Sequence, residues 1–164
     1  MKLSKRTLYI LLVIILTITA DQISKVIVRA KVVAGSQTEI LGKFLSLHNV
    51  ENEGAFLGMG SELNDSLRII LLLILPIIVL GFVLRYILKD KKIDKWSLFA
   101  FSMIIGGGIA NVFDRVVFGS VTDFLYIKLT DLLRTGIFNI ADLAVTTGMI
   151  ILVVFSFRKK KIVE

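Results

Sequence analysis

Four long apolar runs punctuate the chain, from Leu8 to Ile27, Leu67 to Leu88, Trp96 to Phe118 and Phe138 to Phe157. A bilayer hydrocarbon core about 30 Å thick needs roughly 20 mostly apolar residues per helical crossing, and each run meets that length. The pattern predicts four transmembrane helices in one membrane-embedded domain over residues 1–164, an integral membrane all-α bundle. Pro76, the one proline, lies in the second run and predicts a kink, since it can neither donate to the preceding turn nor avoid its carbonyl. Gly106, Gly107 and Gly108 in the third run predict a close helix crossing, because small residues let backbones approach one another in lipid.

Outside these runs the period changes. Gln37 to Ile40 and Lys43 to Val50, separated by Leu41 and Gly42, read as strands, the second roughly alternating apolar with polar residues, and Ser120 to Lys128 reads as another. They predict a small sheet on the outer membrane surface, with Phe44, Leu45 and Leu47 toward lipid.

Charge orients the bundle. The chain carries a formal +7, and 12 of its 20 Lys and Arg fall in Lys2 to Arg6, Arg85 to Lys95 and Arg158 to Lys161. Those stretches precede the first span, join the second to the third, and follow the fourth. The positive-inside rule makes them cytoplasmic, so both termini are expected in the cytoplasm and residues 29–66 and 119–137 outside. The basic clusters are thereby accounted for as topology signals, and no nucleic-acid partner is expected. Lys2, Lys5 and Arg6 ahead of an apolar run also resemble the start of a signal peptide. The length of the run, the lack of a small-residue cleavage site, and Asp21 and Lys25 at its end favour a retained helix.

Composition narrows the chemistry. With no cysteine there is no disulfide, thiolate nucleophile or thiolate metal site. His48 is the one histidine, so a histidine-based triad or a multi-histidine metal centre is disfavoured. Oxygen and nitrogen side chains remain, with neither metal nor cofactor expected.

Those side chains are not scattered. Ionisable groups in a span cost about 2.5 to 3.5 kcal/mol each at the bilayer centre, which makes them functional candidates. Asp21 and Lys25 end the first span. Asn111, Asp114 and Arg115 lie near the outer end of the third, and Asn139 and Asp142 open the fourth, with Asp123 in the connecting segment. The alternating direction of the spans sets all of them at one depth near the outer interface. Asp21 and Lys25 are four residues apart on one helical face and can pair. Asp114 and Arg115 are adjacent, so each needs a partner on another segment, and a network of Asp21, Lys25, Asp114 and Arg115 would satisfy all four.

Asp123 and Asp142 have no such nearby cation. Eighteen residues separate them, enough for the chain to fold back and join them. Two carboxyls in a partly dry site share a proton, and such a pair can activate water while polarising a carbonyl. From spacing alone, solvated interface aspartates with helix-capping duties are the commoner reading.

Five blocks alter that balance: D-Q-I-S-K from Asp21, N-E-G-A-F from Asn52, N-V-F-D-R from Asn111, V-T-D-F from Val121 and F-N-I-A-D from Phe138. In order across nearly the whole chain, they resemble bacterial lipoprotein signal peptidase, signal peptidase II. The resemblance implies a four-helix bundle with a small outer β-cradle in the bacterial cytoplasmic membrane. It implies an aspartic endopeptidase that cuts signal peptides from diacylglyceryl-modified prolipoproteins before the lipidated cysteine, among membrane lipids, and is inhibited by globomycin. Carried over, Asp123 and Asp142 are the catalytic pair, and Asp21, Lys25, Asn52, Gly54, Asn111, Asp114, Arg115 and Asn139 support them or bind substrate. Two positions depart from the family pattern: Ala110 stands where glycine is usual before the asparagine, and Phe56 follows Ala55 where a second alanine is common. Two other readings stand beside this one. A small ion- or proton-coupled transporter predicts polar residues through the whole bilayer depth, and an assembly factor would hold a partner on the outer loops.

Overall fold

The computed structural model describes residues 3–55, 60 and 63–160, with side chains to residue 157. Phe56, where the second motif departs from the family pattern, lies outside the described residues. The element order is α1 (Lys5–Lys31), β1 (Gln37–Leu41), β2 (Leu45–Asn52), α2 (Asp65–Lys89), α3 (Lys95–Phe118), β3 (Val121–Ile127) and α4 (Ile140–Lys160). All four helices are long and apolar enough to cross a membrane.

Each helix starts where a polar side chain satisfies its unpaired amides. Ser4 accepts from the Thr7 amide, Asn64 from Leu67 and Asp94 from Ser97. Helix α1 runs past the apolar run that announces it, reaching Lys31 rather than Ile27, whereas α3 ends with its run at Phe118. The outward faces of the helices carry bare hydrophobics such as Leu16, Phe82 and Phe157. That is the surface a lipid solvent allows, since it gains nothing by hiding apolar atoms. Inside, Ile10, Ile14, Ile87, Leu98 and Ile105 form a core from the middle of the bundle to the end remote from the sheet.

Pro76 is accommodated by a π turn. Ile70–Ile74 is wound one residue wider, and the Leu75 amide donates to Ile70 O just before the proline. The widened turn meets the missing Pro76 donor inside the helix.

The three glycines of α3 each serve a different neighbour, because successive residues on a helix point about 100° apart. A Cβ on Gly106 would lie 3.0 Å from Ile14 O of α1, one on Gly107 2.5 Å from Ala141 O of α4, and one on Gly108 2.6 Å from the Leu80 side chain of α2. Backbone cannot yield as a leucine tip can. Gly107→Ala is therefore expected to lower stability by about 2 to 3 kcal/mol, within the range for overpacking, whereas Gly108→Ala costs under about 1 kcal/mol as Leu80 rotates away. Thermal unfolding of the two variants in detergent gives the comparison.

The strands form one antiparallel sheet in the order β1-β2-β3. Their bounds shift from expectation: β2 begins at Leu45 and continues to Asn52 instead of spanning Lys43 to Val50. Gly119 ends α3 in the left-handed conformation at φ 78°, its amide donating to Arg115 O, and the chain turns into β3 within two residues. Phe138, expected to begin the fourth span, instead lies before α4 and forms an isolated antiparallel bridge to Leu125 of β3. Its amide donates to Leu125 O and its carbonyl accepts from Phe124 and Leu125. A phenylalanine is equally at home in a strand and a membrane helix, so the apolar run could not mark that boundary. This return of the chain sets Asn139 beside β3.

Candidate active site

Asp21, Lys25 and Asp114 are wholly buried at the end of the bundle beneath the sheet. Lys25 Nζ lies 2.7 Å from a carboxylate oxygen of each aspartate and donates to Asn111 Oδ1 at 2.9 Å. An ammonium has three protons and here meets three oxygens, the arrangement that makes a buried charge tolerable. Gln22 extends the cluster, donating to Asp114 Oδ1 at 2.9 Å and, at longer range, to the Ala110 carbonyl. Ala110, where the family pattern has glycine, is itself wholly buried.

Arg115 does not join this network, contrary to the expected four-membered one. Adjacent to Asp114 on the helix, it points elsewhere and donates to Gly54 O at 2.7 Å and Asn111 O at 3.3 Å. The second cation at Asp114 is Arg29, 3.4 Å away.

The N-terminus of α4 is built by a reciprocal cap. Asn139 Oδ1 accepts from the Asp142 amide at 2.9 Å, and Asp142 Oδ2 accepts from the Asn139 amide at 3.3 Å. Asp21 Oδ1 takes the Ala141 amide at 2.8 Å, so a side chain of α1 completes the cap of α4.

Asn139 also binds the strand. Its Nδ2 donates to Asp123 Oδ1 at 2.7 Å, and Asn52 Nδ2 donates to Asp123 Oδ2 at 2.9 Å. Asn111, holding Lys25 by its oxygen, donates from Nδ2 to Asp142 Oδ1 at 2.8 Å. Asp123 and Asp142 thus meet through one residue, Asn139, which donates to the first from its side-chain amide and to the second from its backbone N–H. Every carboxylate oxygen of the pair has a donor. Asp123 is 3% exposed and Asp142 half-buried, so the pair opens on the Asp142 side. Burial pushes the Asp123 carboxyl up to about 6; the Asn52 and Asn139 amides oppose the rise and the nearby Asp142 charge adds to it.

Asn52 Oδ1 accepts the Gly54 amide at 2.9 Å, and Arg115 holds the Gly54 carbonyl, so both sides of that turn are fixed. All ten residues expected at the site are therefore brought together in one connected layer.

Most of the chain is matched in known proteins. The family description signal peptidase (SPase) II fits residues 13–158, most of the chain. The chain belongs to the signal peptidase II family. A lipoprotein signal peptidase of Clostridium novyi is 30% identical over 92% of this chain and 98% of its own. One of Borrelia duttonii is 37% identical over 86% of this chain and 85% of its own. Among solved structures, a bacterial membrane enzyme superposes with a TM-score of 0.81 at 27% identity, covering 93% of this chain and 89% of that one. The chain is thus a membrane-spanning peptidase.

Four further residues, Gln22, Arg29, Glu51 and Thr122, are tied to this layer by hydrogen bonds or ion pairs without standing out in the sequence. Gln22 lies within the first motif but carries no charge to draw notice. Arg29 and Glu51 fall outside the apolar runs, in the first outer segment, where charges are expected. Thr122 is a strand former next to Asp123 and reads as sheet packing. Arg29 stands four residues beyond Lys25, hence on the same helical face, and that spacing is the signal in the sequence that could have found it.

Proposed function

We propose that Asp123 and Asp142 are the catalytic pair with which this signal peptidase II removes signal peptides from diacylglyceryl-modified prolipoproteins. The supporting observation is that both carboxyls are bound to Asn139 in a largely buried patch, each without an ion pair to a cation among the described residues. Among the described residues the fully buried charged side chains, Asp21, Lys25, Asp114 and Asp123, all belong to this one layer, which disfavours a transport path through the bilayer.

In the proposed reaction the pair holds one proton and binds a water between its members. The ionised carboxylate takes a proton from the water as its oxygen attacks the scissile carbonyl, and the protonated carboxyl donates to the carbonyl oxygen. The diol so formed collapses, its C–N bond breaks, and a proton passes to the amine of the lipidated cysteine. Signal peptide and lipoprotein are released with both carboxyls returned to their starting state. A substrate helix unwound at the interface needs replacement hydrogen bonds. Arg115 and the turn at Asn52 and Gly54 stand beside the pair to supply them.

The site faces the outer leaflet of the bacterial cytoplasmic membrane in this reading, with both termini cytoplasmic and globomycin as an inhibitor. Full-length protein in detergent, given a diacylglyceryl-modified precursor, should release a fragment whose new N-terminus, read by mass spectrometry, is the lipidated cysteine. Cleavage at another bond, or none, overturns the substrate assignment. Orientation has its own check, helped by the absence of native cysteine. In intact cells Glu39→Cys and Leu132→Cys should react with an impermeant thiol reagent, and Lys91→Cys only after lysis.

A further inference from the structure

Arg29 occupies the last turn of α1, past the end of the apolar run. Its Nε donates to Thr122 Oγ1 at 2.7 Å, and the Thr122 hydroxyl donates onward to Glu51 Oε1 at 2.7 Å. Ser120 donates to the other oxygen of Glu51 at 2.5 Å. The guanidinium also stands 3.4 Å from Asp114 Oδ1 and lies over the Phe118 ring, 3.9 Å from its centroid. One planar group thereby joins α1 to α3 twice and to β3 once, and reaches β2 both through Thr122 and by a long direct ion pair to Glu51 Oε1 at 4.0 Å.

Thr122 is wholly buried and precedes Asp123. Alternation along a strand puts the two side chains on opposite faces of the sheet. Asp123 faces Asn52 and Asn139, while Thr122 faces Arg29. Arg29 makes no hydrogen bond or ion pair to either carboxyl of the pair.

We infer that Arg29 is a positioning residue: through Thr122 and Glu51 it fixes β3, and with it Asp123, at the height over the bundle where Asp123 meets Asn139 and Asp142. The inference rests on the reading of Asp123 as catalytic. Without Arg29, Asp114 keeps Lys25 and Gln22, so the buried cluster persists and the sheet alone is released from the helices. A displacement of about 1 Å at a reacting group is enough to cost on the order of a hundredfold in rate. Lysine is an imperfect substitute, since a point charge cannot donate at Nε, stack on Phe118 and face Asp114 at once.

The experiment compares parent, Arg29→Ala, Arg29→Lys, Thr122→Val and the Arg29→Ala/Thr122→Val double variant as full-length proteins in detergent with a diacylglyceryl-modified peptide. For Arg29→Ala, kcat should fall roughly ten- to a hundredfold with KM within about threefold, and Arg29→Lys should recover part of the loss. Thr122→Val keeps a β-branched side chain and tests the same link if Arg29→Ala fails to fold; its kcat should fall by roughly tenfold. The double variant should be no slower than the worse single, because each single variant already breaks the hydrogen bond from Arg29 to Thr122. Unchanged kcat in both single variants, a loss confined to KM, or a multiplicative double variant would each overturn the positioning role. Asp123→Asn, assayed alongside, separates the two claims. Turnover kept there defeats the catalytic assignment, whereas turnover lost there but kept in the Arg29 and Thr122 variants defeats only this inference.

Discussion

Asp123→Asn and Asp142→Asn should each lower cleavage of a diacylglyceryl-modified precursor by about 10³-fold or more while leaving a folded protein. General acid–base catalysis by one positioned group contributes typically 10²- to 10⁴-fold, and a pair that acts as a unit loses most of its effect with either member. Asparagine preserves shape but cannot exchange a proton. Full activity in either variant would remove the pair from the mechanism.

Asp123→Asn carries a second signature. In the unfolded chain this carboxyl titrates near 3.8 and in the fold at about 6, so the folded state binds the proton more tightly. The parent should therefore lose stability as pH rises through the interval from about 4 to 6, by ~3 kcal/mol above it at about 1.4 kcal/mol per pH unit. The variant has no such titration. The stability difference between the two should thus move in the variant's favour by that amount between pH 4 and pH 7, as read by thermal unfolding in detergent. A difference independent of pH would mean that Asp123 is far better solvated than its 3% exposure indicates.

The other large effect belongs to Lys25. Lys25→Met removes the cation between Asp21 and Asp114 and the donor to Asn111, leaving buried carboxylates without their compensating charge. Breaking a buried pair in this way costs about 3 to 5 kcal/mol, enough to lower the unfolding midpoint by on the order of 10 °C. Activity should fall as well, since Asn111 holds Asp142 through the same amide that Lys25 orients. Adding Asp21→Asn to Lys25→Met should recover more than half of the lost stability. The new amide oxygen can still accept the Ala141 amide, and Asp114 retains Arg29 and Gln22. If the double variant is no more stable than Lys25→Met, an unpaired Asp21 charge is not the source of the cost.

Much of this architecture is legible from local pattern. Four runs of bilayer length announced the helices, and the strands around Gln37, Leu45 and Val121 showed in alternation and flanking turns. The placement of Asp21, Asn111 and Asp142 at one depth followed from the alternating direction of the spans. Individual boundaries were less visible. Phe138 continues an apolar run yet pairs with Leu125, because hydrophobicity does not distinguish a strand from the start of a membrane helix.

The residues by themselves determined that this chain lives in lipid, that its buried charges gather in one layer, and, through five ordered motifs, which family it belongs to. Lipid makes such statements readable, since a backbone without water must close its hydrogen bonds locally and every buried charge is costly enough to stand out. Tertiary structure alone decided the partners. Asn139 proved to be the bridge between Asp123 and Asp142, Arg115 the holder of Gly54, and Arg29 the tie from helix to sheet. Those assignments depend on rotation about each helix axis and on strand register, where one residue reverses a side chain's face. Hydrogen bonds made across 61 positions, from Arg115 to Gly54, or 93, from Arg29 to Thr122, leave no local periodicity in the sequence.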